Sequence, residues 1–229
     1  MRAILHKLSY QRELLETLGA LFVASIIAIP ILTIFYIAFS ADDNIWPHLA
    51  STVLPGYITT TFLVLLGISI ITVFIGVGLA WIITVYEFPM RRVMEWLCLI
   101  PLAMPAYIVA YAYGDLLDYT GFVQSSMRLI FGWSSIKDYW FPSVYSTSGA
   151  IFVMSFVLYP YVYLTSRAAF LRQSMTLIEV SSTLGKSSIY SFFHIALPMA
   201  RPAIIIGLIL VIMESMNEFA AFEYYGVDT

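Results

Sequence analysis

The sequence predicts an all-α, polytopic membrane protein, which is a bundle of helices that cross the bilayer several times. Hydrophobic residues make up 61% of the 229 residues and charged residues 11%, against about 25% charged residues in an average soluble domain. The mean hydropathy is +0.88. A soluble fold cannot bury that much apolar surface. The net charge is −3 without a basic run, which argues against a nucleic-acid partner, and a single cysteine excludes an intrachain disulfide.

Five apolar runs account for the predicted spans, because a crossing helix needs about 20 mostly apolar residues. The runs are Leu18–Phe39, Ile58–Val85, Val93–Tyr113, Gly149–Thr165 and Pro202–Ala221. Pro101 and Pro105 predict a kink in the third span. Pro202 fits the first helical position of the fifth span, where its missing N–H costs nothing.

One face of the second span carries a small residue in every turn. Thr72, Gly76 and Ala80 are spaced four residues apart. Such a face lets a neighbouring helix approach closely. We therefore expect it to serve packing, with no chemistry assigned to it.

The cationic residues predict which side of the membrane each loop occupies, since Lys and Arg collect in cytoplasmic loops. Nine of the 11 cationic residues lie in the N-terminal segment, the second-to-third loop and the fourth-to-fifth segment. Only Arg128 and Lys137 lie on the other side. The N-terminus is therefore expected in the cytoplasm.

The cytoplasmic segment 166–201 is too long for a simple turn and predicts two short helices. Thr176 and Glu179 form a capping-box pattern for the first helix, and Gly185 ends it. Ser187 or Ser188 caps the second helix, and Leu197-Pro198 ends it. Aromatic residues cover much of the second helix, which indicates a surface that docks into a groove of a partner.

This segment resembles the EAA loop of the permease subunits of binding-protein-dependent ABC importers with the type I fold. The family pattern is Glu-Ala-Ala, three residues, Gly, nine residues, Ile, one residue and Leu-Pro. The matching residues here are Glu179, Val180, Ser181, Gly185, Ile195, Leu197 and Pro198. Val180 and Ser181 depart from the two alanines of the pattern.

The resemblance implies a transport subunit without a catalytic, cofactor or metal site of its own. A cytoplasmic ATPase dimer would bind ATP and Mg²⁺ and dock on the EAA loop. The other implied partners are a second permease half or subunit, an extracytoplasmic substrate-binding protein and the lipid bilayer of a bacterial inner membrane. Residues 1–57 would be an additional N-terminal part, and residues 58–229 an incomplete permease core of a six- or twelve-helix protein.

Ferric-iron permeases are the subfamily that this chain resembles most, through Pro101–Tyr107 and the acidic stretch from Glu214 to Asp228. Glu214 lies past the middle of the fifth span, and Glu218 follows one turn outward on the same face. Because carboxylates facing lipid are costly, Glu214, Asn217 and Glu218 are expected to line the translocation path, where hard oxygen ligands suit Fe(III). The alternative is that they hold the outer gate together through polar groups of neighbouring helices.

Three other interpretations compete with the importer. Gly185-Lys186-Ser187 matches the end of a phosphate-binding loop, but position 180, which would need the first glycine, is Val180. A secondary transporter or channel without an ATPase predicts inverted repeats, which the five runs do not display. A membrane-embedded enzyme predicts clustered His or Asp at one depth, which the sequence lacks.

Overall fold

The computed structural model describes residues 2–40, 46–173, 180–181 and 183–229, and the regular secondary structure within these residues is entirely helical. The chain divides into two compact units, of which the first ends at Val53 and the second is Leu54–Thr229. The first unit contains helix α1, Arg2–Ser40, and the short helix α2, Trp46–Thr52.

The second unit combines long helices with short ones. Its α-helices are α3 (Leu54–Val85), α4 (Arg91–Leu97), α5 (Ala106–Leu117), α6 (Phe122–Phe131), α7 (Thr147–Arg172), α8 (Ser188–Ser191), α9 (Leu197–Asn217) and α10 (Phe219–Tyr224). Two 3₁₀ turns cover Ile100–Ala103 and Ile136–Asp138, and a π turn at Phe192–Ala196 joins α8 to α9. Residues 180, 181 and 183 are also helical.

Four helical segments in the described part of the chain are long and apolar enough to cross a membrane. They are Leu15–Phe39, Leu54–Val85, Thr147–Arg172 and Ser188–Asn217. The first three contain the predicted first, second and fourth spans, which are thereby confirmed as helices. The predicted third and fifth spans both require correction.

The prediction of one kinked helix over Val93–Tyr113 is wrong, because this stretch is broken into α4, a 3₁₀ turn and α5. Pro101 has no N–H to donate to the carbonyl of Leu97, and Pro105 has none for that of Pro101. Two donors are therefore lost within one turn, and the chain becomes extended at Met104 before Pro105 opens α5.

The predicted bounds of the fifth span are also wrong. The helix does not stop at Leu197-Pro198, since the π turn carries it from Ser188 to Asn217 without interruption. Pro202 consequently lies inside α9 instead of at its first position. At the other end α9 stops at Asn217, because Glu218 leaves the helical conformation with ψ of 72°. The wider π turn provides room next to Pro198, which cannot donate a hydrogen bond.

Helix α7 lies between α3 and α9, and a glycine permits each approach. A Cβ atom on Gly76 of α3 would come within 2.8 Å of the Val162 Cβ. A Cβ atom on Gly207 of α9 would come within 2.9 Å of the Val162 Cα. Thr72, Gly76 and Ala80 are all buried, which confirms that the small-residue face serves packing.

Substituting Gly76 by Ala is expected to destabilise the bundle, and Gly78→Ala is the matched control. Gly78 lies two residues away in the same helix, and a Cβ added there would have no atom within 4 Å. Overpacking costs about 1–3 kcal/mol, whereas Ala gains about 1 kcal/mol over Gly in an open helical position. Thermal unfolding in detergent should therefore give a lower midpoint for Gly76→Ala and an equal or higher one for Gly78→Ala. Equal midpoints for the two variants would contradict the close approach.

Candidate functional site

The first helix of segment 166–201 ends in a Schellman turn at the predicted glycine. Gly185 has φ of +75°, the left-handed conformation that glycine adopts without strain. The Lys186 N–H donates to the Ser181 carbonyl at 3.0 Å, which is the bond that closes such a turn. The predicted helix end at Gly185 is thus confirmed. The capping-box residues Thr176 and Glu179 lie outside the described residues.

Two serines join the two helices of the segment. Ser187 caps the second helix by accepting a hydrogen bond from the Tyr190 N–H at 3.2 Å, which decides between the two predicted capping residues. The hydroxyls of Ser181 and Ser191 lie 2.8 Å apart, and both side chains are buried. Ser181, which stands where the family pattern has alanine, therefore has a local partner that an alanine could not have.

An aromatic cluster fixes the segment to the membrane-spanning helices. The ring of Phe192 lies 5.0 Å from that of Trp81 in α3 and 6.5 Å from that of Phe170 in α7. Trp81 and Phe170 themselves meet edge to face at 5.5 Å. Hydrogen bonds reinforce the attachment: Tyr86 donates to Ser188, and the Gln173 side-chain amide donates to the Ala196 carbonyl. We call Trp81, Phe170 and Phe192 the aromatic anchor.

The segment also has large apolar side chains that are exposed. Val180 and Ile189 are exposed, and Leu184 and Phe193 retain 73% and 56% of their surface. Tyr190 stacks on His194 at 4.0 Å, with Lys186 above its ring. We call Val180, Leu184, Ile189 and Phe193 the coupling surface. Ile195, Leu197 and Pro198 are partly buried within the helical run behind it.

A cavity of about 380 Å³ lies where the broken third segment meets the end of α9. It is lined by Pro101 to Tyr107, by Val157, Leu158 and Tyr161 of α7, and by Glu214 and Glu218. Both carboxylates are partly buried, whereas Asn217 is exposed and does not contribute to the lining. The cavity therefore combines two of the three residues predicted for the path with the proline-containing stretch.

The start of α5 gives this cavity a second kind of polar group. Pro105 precedes the helix and provides no side-chain cap. The first backbone N–H groups of α5, which include those of Ala106 and Tyr107, have no acceptor within the helix. The positive end of the helix dipole thus lies at a cavity that two carboxylates also line.

Sequence reasoning missed an ion pair that ties α4 to α7. The Arg167 guanidinium donates to the Glu95 carboxylate, and both side chains are one-quarter exposed. The two residues are 72 positions apart, so no local pattern connects them. The signal that could have indicated this pair is Glu95 itself, because an ionisable residue within an apolar run such as Val93–Tyr113 needs a polar partner.

The polar contacts at the end of the chain were also not predicted. Tyr225 is buried, and its hydroxyl donates to the Ala110 carbonyl of α5 at 2.6 Å. Tyr224 packs so closely that a Cβ on Gly114 would approach its ring to 2.7 Å. The turn after α9 is therefore attached to α5, the same helix whose start lines the cavity.

A helix bundle with a packed segment of short helices and a broken helix at a polar cavity is typical of membrane transport permeases. Residues 72–229 match the family described as "Binding-protein-dependent transport system inner membrane component", and the chain belongs to this family. Its fold is accordingly the all-helical type I permease fold, as the resemblance implied.

The names of curated relatives refer to transport of different substrates. The chain is 26% identical over 200 residues to the probable sulfate transport system permease protein cysT of Marchantia polymorpha, covering 86% of this chain and 65% of that protein. It is 29% identical over 146 residues to the sulfate transport system permease protein CysT of Salmonella typhimurium, covering 64% and 50%. It is 25% identical over 172 residues to the Fe(3+)-transport system permease protein FbpB 2 of Haemophilus influenzae, covering 75% and 29%. The chain thus spans at most about two thirds of these relatives' lengths.

The aromatic anchor and the coupling surface should respond differently to truncation. Phe192→Ala removes a ring packed between Trp81 and Phe170, so we expect a loss of about 2–3 kcal/mol, at the low end for Phe→Ala because Phe192 is only partly buried. Phe193→Ala, at the exposed neighbouring position, loses one edge-to-face contact with Phe192 and should cost no more than about 1 kcal/mol. Thermal unfolding in detergent measures both. A larger effect for Phe193 than for Phe192 would overturn the assignment of the two faces.

Proposed function

We propose that the chain is the permease part of an ATP-driven importer in a bacterial inner membrane, with its N-terminus in the cytoplasm. The observation that carries the proposal is the coupling surface, an exposed apolar face on a segment that the aromatic anchor holds against two spans. An exposed apolar face on a rigid support is what a partner's groove requires. A secondary transporter has no use for such a surface.

The partner of this surface is a separate cytoplasmic ATPase dimer, which binds ATP and Mg²⁺. Closure of the dimer displaces the coupling surface, and the anchor passes the displacement to α3 and α7 as a rigid-body movement. A second permease half completes the path, and an extracytoplasmic binding protein delivers the substrate. Membership of the binding-protein-dependent family supports these partners.

The substrate that the carboxylates favour is a hard cation, and we propose ferric iron. Glu214 and Glu218 offer oxygen ligands at the cavity, and carboxylates repel a divalent anion. An oxyanion such as sulfate is the second candidate, because the start of α5 presents unpaired N–H groups at the same cavity and two of the three relatives described above carry sulfate in their names.

Removing the exposed ring of the coupling surface is expected to weaken ATPase binding. Phe193→Ala deletes an aromatic ring that is exposed apart from an edge-to-face contact with Phe192, so the full-length protein should remain folded but retain less ATPase on affinity purification in mild detergent. Losing an aromatic residue central to an interface costs about 2 kcal/mol or more, which is about 30-fold in affinity.

Two further variants serve as controls, one expected to keep ATPase binding and one expected to lose it. Trp140→Ala removes an even more exposed aromatic residue from the external segment and should leave the ATPase bound. Gly185→Pro should abolish binding, since proline fixes φ near −65° where the turn needs +75°. If the wild-type protein and a folded Phe193→Ala variant capture the same amount of ATPase, the coupling surface is wrongly placed. If no ATPase accompanies the wild-type protein, the secondary-transporter alternative gains support.

Neutralising both carboxylates is expected to impair transport without disturbing assembly. The double variant Glu214→Gln and Glu218→Gln preserves side-chain shape but removes the negative charge from the cavity. Uptake of radiolabelled ferric iron by the complete transporter in proteoliposomes should fall at least about tenfold, equivalent to about 1.4 kcal/mol, while ATPase binding stays unchanged.

Glu223→Gln is the matched control, because Glu223 is exposed and does not line the cavity. Radiolabelled sulfate distinguishes the two substrates in the same vesicles. ATP-dependent uptake of sulfate and not of iron would overturn the cation proposal. Unchanged iron uptake by the double variant would remove the two carboxylates from the path.

A further inference from the structure

Helix α6 in the external segment between α5 and α7 has its polar face turned toward the protein. Gln124 is 4% exposed, its amide N–H donates to the Leu117 carbonyl at 2.8 Å, and its side-chain oxygen accepts from the Tyr139 hydroxyl at 2.6 Å. Arg128, one turn further along, donates to the Tyr139 hydroxyl and to the Tyr119 carbonyl, each at 2.8 Å. Gln124 and Arg128 therefore form inner contacts of α6, whereas Ser125 is exposed.

The outward residues of the same helix are large and apolar. Leu129 and Ile130 retain 86% and 75% of their surface, and Phe122 and Phe131 are exposed as well. A helix at a water-facing surface has the reverse arrangement, with its apolar stripe inward and its polar residues outward. The outward face of α6 therefore fits apolar surroundings better than water.

An apolar cavity adjoins the start of this helix. It measures about 390 Å³ and is lined mainly by hydrophobic side chains, among them Leu117, Val123, Phe141 and Phe152. The lining combines the end of α5, the start of α6 and the start of α7. A narrow apolar cavity of this kind suits an acyl chain.

Position and flanking residues also match a membrane boundary. Helix α6 begins five residues after α5 ends, so it lies within about 18 Å of the end of that helix. Trp133 stacks between Phe131 and Tyr139, and Trp140 is exposed, which is the amphipathic aromatic composition found at headgroup level. Lys137 is exposed nearby. Backbone N–H groups of Ser135 and Ser134 donate to Asp138 and hold the pKa of its carboxyl below the usual value, so this anion is engaged within its own turn.

We propose that α6 is an interfacial anchor whose outward face lies among the acyl chains of the outer leaflet, with one chain entering the adjoining cavity. The outer leaflet is the occupant that fits the inverted helix, because lipid surrounds the neighbouring membrane-spanning helices and provides headgroups for the aromatic residues. The inference concerns the opposite end of the bundle from the coupling surface and does not depend on an ATPase partner.

Depth-resolved fluorescence quenching of the full-length protein in nanodiscs tests the proposal. In a background with Cys98, the single cysteine, replaced by Ala, a cysteine at Ile130 carries an environment-sensitive fluorophore. Phe74→Cys, at an exposed position within α3, is the lipid reference, and Lys186→Cys in the cytoplasmic segment is the aqueous reference. Quenching by nitroxide-labelled acyl chains and by aqueous iodide is measured for each.

The label at Ile130 is expected to be quenched by the lipid nitroxide to the extent seen at Phe74, and to be protected from iodide. A second label at Leu129 should behave in the same way, and one at Ser148, which lines the cavity, should also be quenched from the acyl chain. Iodide quenching at Ile130 and Leu129 would show that the face is in water. Protection from both quenchers would show that protein covers it, such as a second permease half. Either result overturns the proposal.

Discussion

The close approach of two helices to α7 is the constraint on which the rest of the second unit depends. Val162 lies between Gly76 on one side and Gly207 on the other, and neither position has room for a methyl group. Lipid provides no hydrophobic force that drives helices together, so tight packing of small residues has to hold the bundle. The three helices α3, α7 and α9 therefore form one closely packed unit.

Helix α7 also connects the two ends of the proposed mechanism. Phe170 belongs to the aromatic anchor beneath the coupling surface, and Tyr161 lines the cavity with the carboxylates. Nine residues separate them, or about 13 Å along a continuous helix. The ion pair of Arg167 with Glu95 attaches α4 to the same stretch of α7. In the proposed mechanism, a displacement at the anchor reaches the broken helix through packed side chains over this short distance.

Long apolar runs and local capping rules predicted much of this fold. Hydropathy identified three spans, and residue type predicted the left-handed turn at Gly185 and a cap at Ser187 or Ser188, between which the structure selects Ser187. Hydropathy could not reveal that Val93–Tyr113 is discontinuous, because it counts apolar side chains and not backbone donors. The π turn was not predicted because it depends on packing against Trp81. The Glu95–Arg167 pair was not predicted because the two residues are far apart in sequence. Of the residues predicted for the coupling loop and the path, Glu179 lies outside the described residues.

The π turn determines the direction, around the axis of α9, in which segment 166–201 points from the bundle. From the last residue of the π turn into α9 the buried positions Ala196, Ala200 and Ile204 recur every four residues, but the preceding buried position, Ser191, lies five residues before Ala196. The additional residue offsets the helical phase by about 100°. In an uninterrupted α-helix Phe192 would turn away from Trp81 by that angle, although every span remained in place. The one additional residue of the π turn therefore determines whether segment 166–201 packs against the bundle or is joined to it only through the backbone.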